Sequence, residues 1–170
     1  MIPELLVRNG KIFDPFTRTF QKADIVVSGG RIHGISPPLT GEMAREVLDV
    51  SEMIVTPGLI DLHVHIFHRF HRISIDPGTM IPQAGVTTWV DGGSSGAGNF
   101  DAFREYVLSR SELNLLAFLN IGLFGQIFDL QIPGVPTINE YDDPRMVHVA
   151  ETVRCIERNR EFIVGVKARA

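Results

Sequence analysis

The chain has 170 residues, of which 44% are hydrophobic and 21% charged, which is typical of a globular protein and excludes a disordered one. The formal net charge of −4 leaves no basic excess for phosphate contacts, so we expect no nucleic-acid partner. The single cysteine, Cys155, excludes an internal disulfide framework. No signal-peptide layout and no apolar run of roughly 18 residues is present, so we expect a cytoplasmic protein without a membrane partner.

The first third of the sequence predicts short strands joined by tight turns. Two dipeptides that tolerate positive φ angles, Asn9-Gly10 and Gly29-Gly30, each lie between apolar runs, which is the arrangement of a β-hairpin. A further strand is predicted over 46–50. This segment is too small to bury a core well by itself. We therefore expect it to be part of a small β domain that packs on a partner surface.

From residue 56 onward, apolar runs alternate with longer amphipathic stretches, which is typical of βα units around a parallel sheet. Four strands are predicted, near 59–65, 86–91, 115–121 and 162–167, and a long loop over 126–142. The sequence thus predicts an α/β fold with a domain boundary between residues 55 and 56. The second domain, 56–170, is expected to form about four βα units of a (β/α)8 TIM barrel.

Two helices are predicted between these strands. The first is expected to be capped by Asn99 and to bury one face, formed by Phe100, Phe103 and Val107. The second is expected to begin at Asp143, with Pro144 at its first position. Its buried face is predicted to contain Val147, Ala150, Val153 and Ile156.

The strand predicted over 59–65 carries the residues most suited to metal chemistry. Because side chains alternate between the faces of a strand, Asp61, His63 and His65 are expected to share one face. The opposite face, which would pack on helices, is formed by Ile60, Leu62, Val64 and Ile66. Two imidazoles two residues apart at a strand end can chelate one metal ion. The alternative is an edge strand whose histidines alternate by chance, but the preceding Pro-Gly turn favours the metal site.

The last predicted strand ends in Lys167. Its apolar face is expected to contain Phe162, Val164 and Val166, with Ile163, Gly165 and Lys167 on the other face. A desolvated lysine beside cations holds its amine neutral more readily. The neutral amine can add carbon dioxide to form a carbamate whose oxygens bridge two cations. On spacing alone, a surface lysine that ends a strand is the more frequent case.

The runs PGLIDLHVH (57–65) and VGVKAR (164–169) resemble the amidohydrolase superfamily, and the resemblance covers the whole chain. It implies that the β-rich segment is part of a small β-sandwich domain built from both chain ends. It also implies that His63 and His65 bind one of two divalent cations, most often zinc, and that Lys167 is the bridging carbamate. The runs at 85–103 and 116–125 are similar to the dihydroorotase-like deacetylases, whereas dihydroorotases and hydantoinases end the second strand in a Pro-Asn type sequence.

The resemblance implies that a metal-activated hydroxide hydrolyses an amide, here N-acetyl, carbon–nitrogen bond. The general-base aspartate of the family lies on the eighth strand, so no catalytic residue is assigned here, and Asp61 is expected to orient a histidine or cap a backbone amide. Ser94, Ser95 and His68 are candidate substrate contacts. The alternative for the serines is a flexible loop, and for His68 a solvent-exposed side chain.

Further histidine ligands of the family lie on the fifth and sixth strands, so we expect an N-terminal fragment that is inactive alone. A small N-acyl or cyclic amide is the expected substrate, and the full-length protein is expected to be a homo-oligomer. Two alternatives stay open: a cyclic amidohydrolase of the dihydroorotase or hydantoinase type, and a non-catalytic scaffold of the same fold. The presence of His63, His65 and Lys167 argues against the scaffold.

Overall fold

The computed structural model of the protein describes residues 2–39, 41, 43–79, 85–128, 133–134 and 139–169, without the side chains of Ile127 and Phe128. The chain divides into two compact units, Met1–Pro57 and Gly58–Ala170. Part of the loop predicted over 126–142 lies outside the described residues. None of the helices in the described ranges is long and apolar enough to cross a membrane.

The first unit is built on a mixed β-sheet. Its strands, among the described residues, are β1 (Leu5–Asp14), β2 (Thr19–Ser28), β3 (Arg31–Ser36), β4 (Glu46–Asp49) and β5 (Ile54–Val55). The order is β3-β2-β1-β4, with β5 also pairing β1. Ile12, Ala23 and Ile25 form its small core, against which Val7, Val27 and Val55 pack.

Of the two hairpins predicted in this unit, one is confirmed and one is wrong. Gly29 and Gly30 have φ angles of 61° and 68° and join β2 to β3. Asn9, with a φ of 63°, instead forms a bulge inside the continuous strand β1. The side chain of Asp24 explains the difference, because its Oδ1 accepts the backbone N–H of Asn9 (2.7 Å) and so stabilises the bulge. A positive φ angle occurs both in a hairpin turn and in a bulge, so the Asn9-Gly10 dipeptide alone did not distinguish the two.

The second unit contains a parallel sheet whose described strands are β6 (Leu59–Val64), β7 (Val86–Asp91), β8 (Asn114–Asn120) and β9 (Ile163–Lys167). They lie in the order β6-β7-β8-β9, and every pair is parallel. Helix α1 (Phe100–Tyr106) separates β7 from β8, and helix α2 (Val149–Arg158) precedes β9. Short 3-10 turns cover Leu108–Arg110, Gly125–Phe128 and Pro144–Met146. Sequential parallel strands joined by helices are the βα arrangement that the sequence predicts.

One hydrophobic core lies between this sheet and its helices. Its buried members are Ile66, Phe67, Trp89, Phe100, Phe103, Leu108, Leu115, Ala117, Leu119, Cys155 and Ile163. The apolar face predicted for α1 is confirmed, since Phe100 and Phe103 are fully buried. Asn99 makes no side-chain cap of that helix, because its Oδ1 accepts the N–H of Gly96 and its Nδ2 donates to the Phe124 carbonyl.

The second predicted helix begins later than expected and buries a different face. Asp143 caps only the 3-10 turn, by accepting the N–H of Arg145, and α2 begins after His148, whose Nδ1 accepts the N–H of Glu151. Its buried residues are Thr152 and Cys155, with Asn159 just beyond its end. Of the predicted face, Ile156 packs against the core and Val147 is half-buried, whereas Ala150 and Val153 are exposed. Val149 is also exposed. Asn159 donates to the Cys155 carbonyl and accepts from Arg104, and these bonds turn this polar face inward.

Bulges at the two edges of the sheet change which side chains are buried. On β9, Ile163 pairs with Ala117 and Gly165 pairs with Phe118, so Val164 is an extra residue. Because paired positions share a face, Ile163 lies beside the buried Ala117 and joins the core. Val164 and Val166 are exposed, contrary to prediction. On the other edge, Ile60 and Leu62 are also exposed. Within the described part of the chain, the prediction that this face packs on helices is therefore wrong for Ile60 and Leu62. The other two members, Val64 and Ile66, lie against or in the hydrophobic core.

Candidate metal centre

The carboxyl ends of the four parallel strands bring the candidate ligands to one edge of the sheet. His63 and His65 lie at the end of β6, Asp91 ends β7, Asn120 ends β8 and Lys167 ends β9. The ladder registers Val64 with Asp91 and Asn120 with Lys167. Because parallel strands end at the same edge, the histidine pair after β6 and Lys167 at the end of β9 lie along one edge of the sheet.

The two histidines meet over Gly92. Their ring centroids are 5.6 Å apart, with the planes inclined by 67°. A Cβ atom at Gly92 would lie 2.4 Å from Cδ2 of His63 and 3.4 Å from Cε1 of His65. The N–H of Gly92 also donates to the carbonyl of Val64 at 2.7 Å, between the two histidines in sequence. Only a residue without a side chain allows the β7 backbone to approach the histidine pair this closely.

Gly93 likewise allows the backbone of the turn to approach Lys167 closely. A Cβ atom at Gly93 would lie 2.8 Å from Cγ and 2.9 Å from Cβ of Lys167. Gly93 has a φ of +94°, a conformation that L-amino acids rarely adopt. The Gly92-Gly93 turn therefore lies between the histidine pair on one side and Lys167 on the other.

His65 is held by two further contacts. Its Nδ1 lies 2.7 Å from Oγ of Ser94, and its ring centroid lies 5.1 Å from that of His71. Ser94 is 1% exposed and His71 5% exposed. The contact with Ser94 is made by Nδ1 of the His65 ring.

The side chain of Asp91 fixes the Gly92-Gly93 turn by accepting backbone hydrogen bonds. Its Oδ1 accepts the N–H groups of Gly93 (2.9 Å) and Ser94 (2.6 Å), and its Oδ2 accepts that of Ile66 (2.9 Å). The side chain is fully buried. Burial raises the pKa of this carboxyl above its ordinary value, while the hydrogen bonds from Ile66, Ser94 and Gly93 act in the opposite direction. Asp91 thus links the end of the histidine strand to the glycine turn.

Asn120 fixes the other side of the turn. Its Nδ2 donates to the Gly93 carbonyl at 3.1 Å, and its Oδ1 accepts the N–H of Gly122 (2.8 Å) and the hydroxyl of Tyr141 (3.1 Å). The Tyr141 oxygen accepts the N–H of Arg169 at 3.1 Å. Burial raises the pKa of this phenol above its usual value. These bonds connect the chain after β9 to the turn beside Lys167.

Asp61 lies out of phase with the histidines. The ladder pairs Asp61 with Trp89 and Val64 with Asp91, so β6 carries an extra residue between them. Asp61 Oδ1 accepts the N–H of His63 at 2.9 Å, which is one of the two roles predicted for this side chain. The prediction that Asp61 shares a face with His63 and His65 is wrong, because the bulge interrupts the alternation.

The candidate substrate residues are not together in this structure. Ser94 and Ser95 are buried, with 1% and 0% of their surface exposed, so neither hydroxyl is accessible to a substrate here. His68 is half-buried and lines a separate cavity of about 740 Å³ with Tyr106 and Arg110. His63, His65 and Lys167 do not line that cavity.

The donor set fits a divalent cation of the zinc type. Two imidazoles that bind one tetrahedral cation at about 2.0–2.1 Å have ring centroids roughly 5 to 6 Å apart. The observed 5.6 Å separation agrees with that spacing. Among the described residues, no group of three or more His, Cys, Asp or Glu side chains is placed to hold a metal ion. The fit therefore depends on the histidine pair with Lys167.

Sequence reasoning did not find the roles of Asp91 and Asn120. In the sequence, both residues are polar and stand at the last position of an otherwise apolar strand. A glycine follows each of them one or two positions later. In chain order the sites are Asp91-Gly92-Gly93 and Asn120-Ile121-Gly122. Such a residue can accept the N–H groups of the turn that follows it.

Comparison with known proteins now identifies the class. No protein-family model matches the chain. The chain is 37% identical over 148 residues to Deacetylase Atu3266 of Agrobacterium fabrum, an alignment that spans 86% of this chain and 35% of that protein. The crystal structure of a dihydroorotase aligns with a TM-score of 0.78 and 35% identity over 98% of this chain and 42% of that one. That of an adenine deaminase aligns with a TM-score of 0.79 and 25% identity over 98% and 41%.

These likenesses define the second unit as part of a (β/α)8 barrel, as the sequence predicts. The chain belongs to the amidohydrolase superfamily. It spans about a third of the length of the curated deacetylases that it matches, each of which is covered to 35%.

Proposed function

We propose that this protein is a metal-dependent amidohydrolase that hydrolyses the carbon–nitrogen bond of a small amide, with N-acetyl compounds as the substrate class. The observation that carries the proposal is the Gly92-Gly93 turn, which leaves room for the histidine pair on one side and for Lys167 on the other. The likeness to a deacetylase over 86% of this chain supports the N-acetyl class.

In this proposal His63 and His65 bind a divalent cation, zinc being the ion that suits imidazole ligands. Lys167 would serve as a carbamate, formed when its neutral amine bonds to the carbon of CO₂ and releases a proton, and would supply oxygen ligands to the metal centre. A cation bound there lowers the pKa of water toward about 7 and polarises an amide carbonyl. Asp61 fixes the backbone of His63 by accepting its N–H. Gly92 and Gly93 carry no side chain that would collide with the histidines or with Lys167.

We also propose the organisation of the whole protein. The small β domain over residues 1–55 and the barrel domain over 56–170 each continue in sequence that this chain does not contain. The 170-residue chain alone is inactive in this proposal, because the general-base carboxylate and two further histidine ligands come from that sequence. We expect the complete protein to be a cytoplasmic homo-oligomer.

The metal content of the purified protein tests the histidine assignment. We expect bound zinc in the wild-type protein and its loss in a His63→Ala/His65→Ala double variant. His33→Ala is the matched control, since His33 is an exposed histidine on β3 of the other unit. Equal zinc in the wild-type protein and the double variant would refute the assignment.

The carbamate is tested separately with ¹³C-labelled bicarbonate. A carbamate resonance is expected in the metal-loaded protein and should disappear in Lys167→Gln. Lys22→Gln, at an exposed lysine on β2, removes the same group away from the site and should leave the resonance in place. A resonance that survives in Lys167→Gln contradicts the assignment of the carbamate to Lys167.

A cyclic amidohydrolase is the second candidate, and the dihydroorotase structure with its TM-score of 0.78 favours it. Both activities need the same ligands, so variants at His63 or Lys167 do not separate them. Parallel assays of the complete enzyme against N-acetylated acids and against cyclic imides do. Turnover of cyclic imides alone would replace the N-acetyl class with the cyclic one.

A further inference from the structure

The phenol of Tyr141 joins the chain that follows Lys167 to the neighbouring strand. Its oxygen accepts the backbone N–H of Arg169 at 3.1 Å, and its hydroxyl donates to Oδ1 of Asn120, also at 3.1 Å. Asn120 is the ladder partner of Lys167 on β8, and the Lys167 carbonyl accepts the N–H of Ile121 at 3.0 Å. The chain at Lys167 is therefore tied to β8 by its own backbone and, two residues later, by Tyr141.

The surroundings of Asn120 fix the direction of these hydrogen bonds. The N–H of Gly122 donates to Oδ1 (2.8 Å), and Nδ2 donates to the Gly93 carbonyl (3.1 Å), so the amide oxygen is the atom that faces Tyr141. A backbone N–H only donates, so the phenol oxygen accepts from Arg169 and gives its single hydrogen to Asn120. Both bonds require the hydroxyl group.

A short turn presents Tyr141 to Arg169. The N–H of Asp142 donates to the Asn139 carbonyl (3.3 Å), and the N–H of Asn139 donates to Oδ2 of Asp142 (2.8 Å). Glu140, the other central residue of this turn, also contacts Arg169, because Oε2 of its buried carboxylate lies 3.9 Å from Nη1 of the guanidinium. The two central residues of the turn thus hold the same residue of the chain after β9.

The same hydrogen bonds continue to the side chain of Lys167. Asn120, which is fully buried, holds the Gly93 carbonyl, and a Cβ atom at Gly93 would lie 2.8 Å from Cγ of Lys167. Tyr141, Asn120 and Gly93 therefore form a continuous series of contacts from the Arg169 backbone to the lysine side chain. A shift of the chain after β9 would move Lys167 relative to the glycine on which it packs.

We propose that Tyr141 is a positioning residue for Lys167, whose hydroxyl fixes the chain after β9 so that the lysine side chain stays packed on Gly93 at the proposed metal centre. The inference rests on the proposed function for the role of Lys167 as a ligand, but the order of its side chain is a property of the metal-free protein. Loss of a group that supports a metal ligand from outside typically weakens metal affinity about 10- to 100-fold.

A purely structural role of the hydroxyl makes a distinct prediction. Its loss would then lower the stability of the protein, but the β8–β9 ladder alone would hold Lys167, and the order of the lysine side chain would not change. Tyr141→Phe separates the two roles because it removes only the oxygen. The ring remains to pack beside Gly122, where a Cβ atom would lie 3.3 Å from Cε1 of Tyr141.

Nuclear magnetic relaxation of ¹³C-labelled lysine in the metal-free protein measures this order. A Lys167→Arg variant identifies the Lys167 signals by their loss. We expect Cγ of Lys167 to be rigid on the picosecond-to-nanosecond timescale in the wild-type protein and mobile in Tyr141→Phe. The exposed Lys11 and Lys22, on strands of the first unit, should relax identically in both proteins. A mobile Cγ of Lys167 in the wild-type protein overturns the proposal without any variant of Tyr141, and so does unchanged rigidity in Tyr141→Phe.

Zinc affinity at a fixed bicarbonate concentration supplies the second readout. We expect zinc binding weaker by about 10- to 100-fold in Tyr141→Phe, with a weaker ¹³C carbamate resonance at the same zinc concentration. Tyr106→Phe is the matched control, because it removes the same hydroxyl from the other tyrosine of the chain, which is 55% exposed at the end of α1. Its zinc affinity should stay within about threefold of the wild-type value, well short of a 10-fold loss.

The outcomes separate this inference from the proposed function. If Tyr141→Phe binds zinc as tightly as Tyr106→Phe does, the positioning role of Tyr141 is overturned, while the metal site stands if the His63→Ala/His65→Ala variant loses zinc. If that double variant binds zinc as well as the wild-type protein, the proposed metal site fails. The order of the Lys167 side chain without metal still decides the role of Tyr141 in that case.

Discussion

The Cβ atom that Gly92 lacks would lie 2.4 Å from Cδ2 of His63, well inside ordinary contact. Gly92 directly follows β7 and His63 belongs to the neighbouring strand β6, so the relationship joins two separate segments of the sequence. The closest atoms belong to an imidazole that packs beside His65, whose ring centroid is 5.6 Å away. A side chain at residue 92 must therefore displace the histidine or the turn.

The first prediction is that Gly92→Ala weakens zinc binding by at least about tenfold, since ligand displacement of about an ångström costs that much or more. Isothermal titration of the purified protein with zinc measures it. Gly34→Ala is the control, because a Cβ atom at Gly34 meets nothing within 4 Å and the residue has no positive φ. Wild-type affinity in Gly92→Ala would show that His63 is not a ligand in this position.

The second prediction concerns the conformation of Gly93. Gly93→Ala places a Cβ atom at a φ of +94° and 2.8 Å from Cγ of Lys167. We expect a loss of about 1–3 kcal/mol in the free energy of unfolding from the backbone strain, together with loss of the Lys167 carbamate resonance. Thermal denaturation and the ¹³C spectrum are the two measurements.

Gly29→Ala is the matched control for this change. Gly29 has a φ of +61°, but a Cβ atom there meets nothing within 4 Å, so only the backbone cost of about 1–2 kcal/mol applies. The control should destabilise the protein and leave the carbamate resonance intact. A carbamate resonance retained in Gly93→Ala would separate Lys167 from the glycine turn.

The placement of the histidine pair and of Lys167 at strand ends could be predicted because each closes an apolar run of strand length. Their role as metal ligands stays a prediction. The positions of β6 to β9 were predictable for a related reason, since each is an apolar run of strand length between turns. The βα alternation was sufficient to predict the parallel sheet, which the comparison with solved barrels confirms.

What the sequence did not reveal depends on contacts between distant segments. The bulge between Asp61 and Val64 places Asp61 out of phase with the histidines, and the extra residue Val164 moves Ile163 into the core. Alternation of period two assumes a regular ladder and fails wherever a bulge adds a residue. The hairpin predicted at Asn9 failed for the same reason, because Asp24, 15 residues away, stabilises a bulge there.

The third prediction follows from the burial of Asn120. Its amide satisfies the Gly93 carbonyl, the Gly122 N–H and the Tyr141 hydroxyl, and the side chain is fully buried. Asn120→Ala leaves these groups unpaired, so we expect the free energy of unfolding to fall by about 2–3 kcal/mol. Urea denaturation measures it. Asn114→Ala, at the exposed first residue of β8, should change stability by less than about 0.5 kcal/mol. If Asn120→Ala lowers the free energy of unfolding by no more than Asn114→Ala does, the hydrogen bonds of Asn120 do not stabilise the protein.

The fourth prediction concerns the thiol of Cys155. The residue is 1% exposed, and burial raises the pKa of its thiol above the usual value, with Asn159 Nδ2 3.7 Å from Sγ. Since the thiolate is the reactive form, the burial of Cys155 and the raised pKa of its thiol both slow its reaction with a disulfide reagent. At pH 8 the folded protein should react at least about 100-fold more slowly than the protein in denaturant, because an opening of a few kcal/mol must come first.

A cysteine elsewhere on the same helix supplies the control for that measurement. Val149→Cys in a Cys155→Ala background places a thiol at a position where the native side chain is 63% exposed. That thiol should react in the folded protein nearly as fast as in denaturant. If Cys155 reacts as fast as this control, α2 does not hold its inner face against the sheet in solution. The support that α2 gives to β9, and through β9 to Lys167, would then be absent as well.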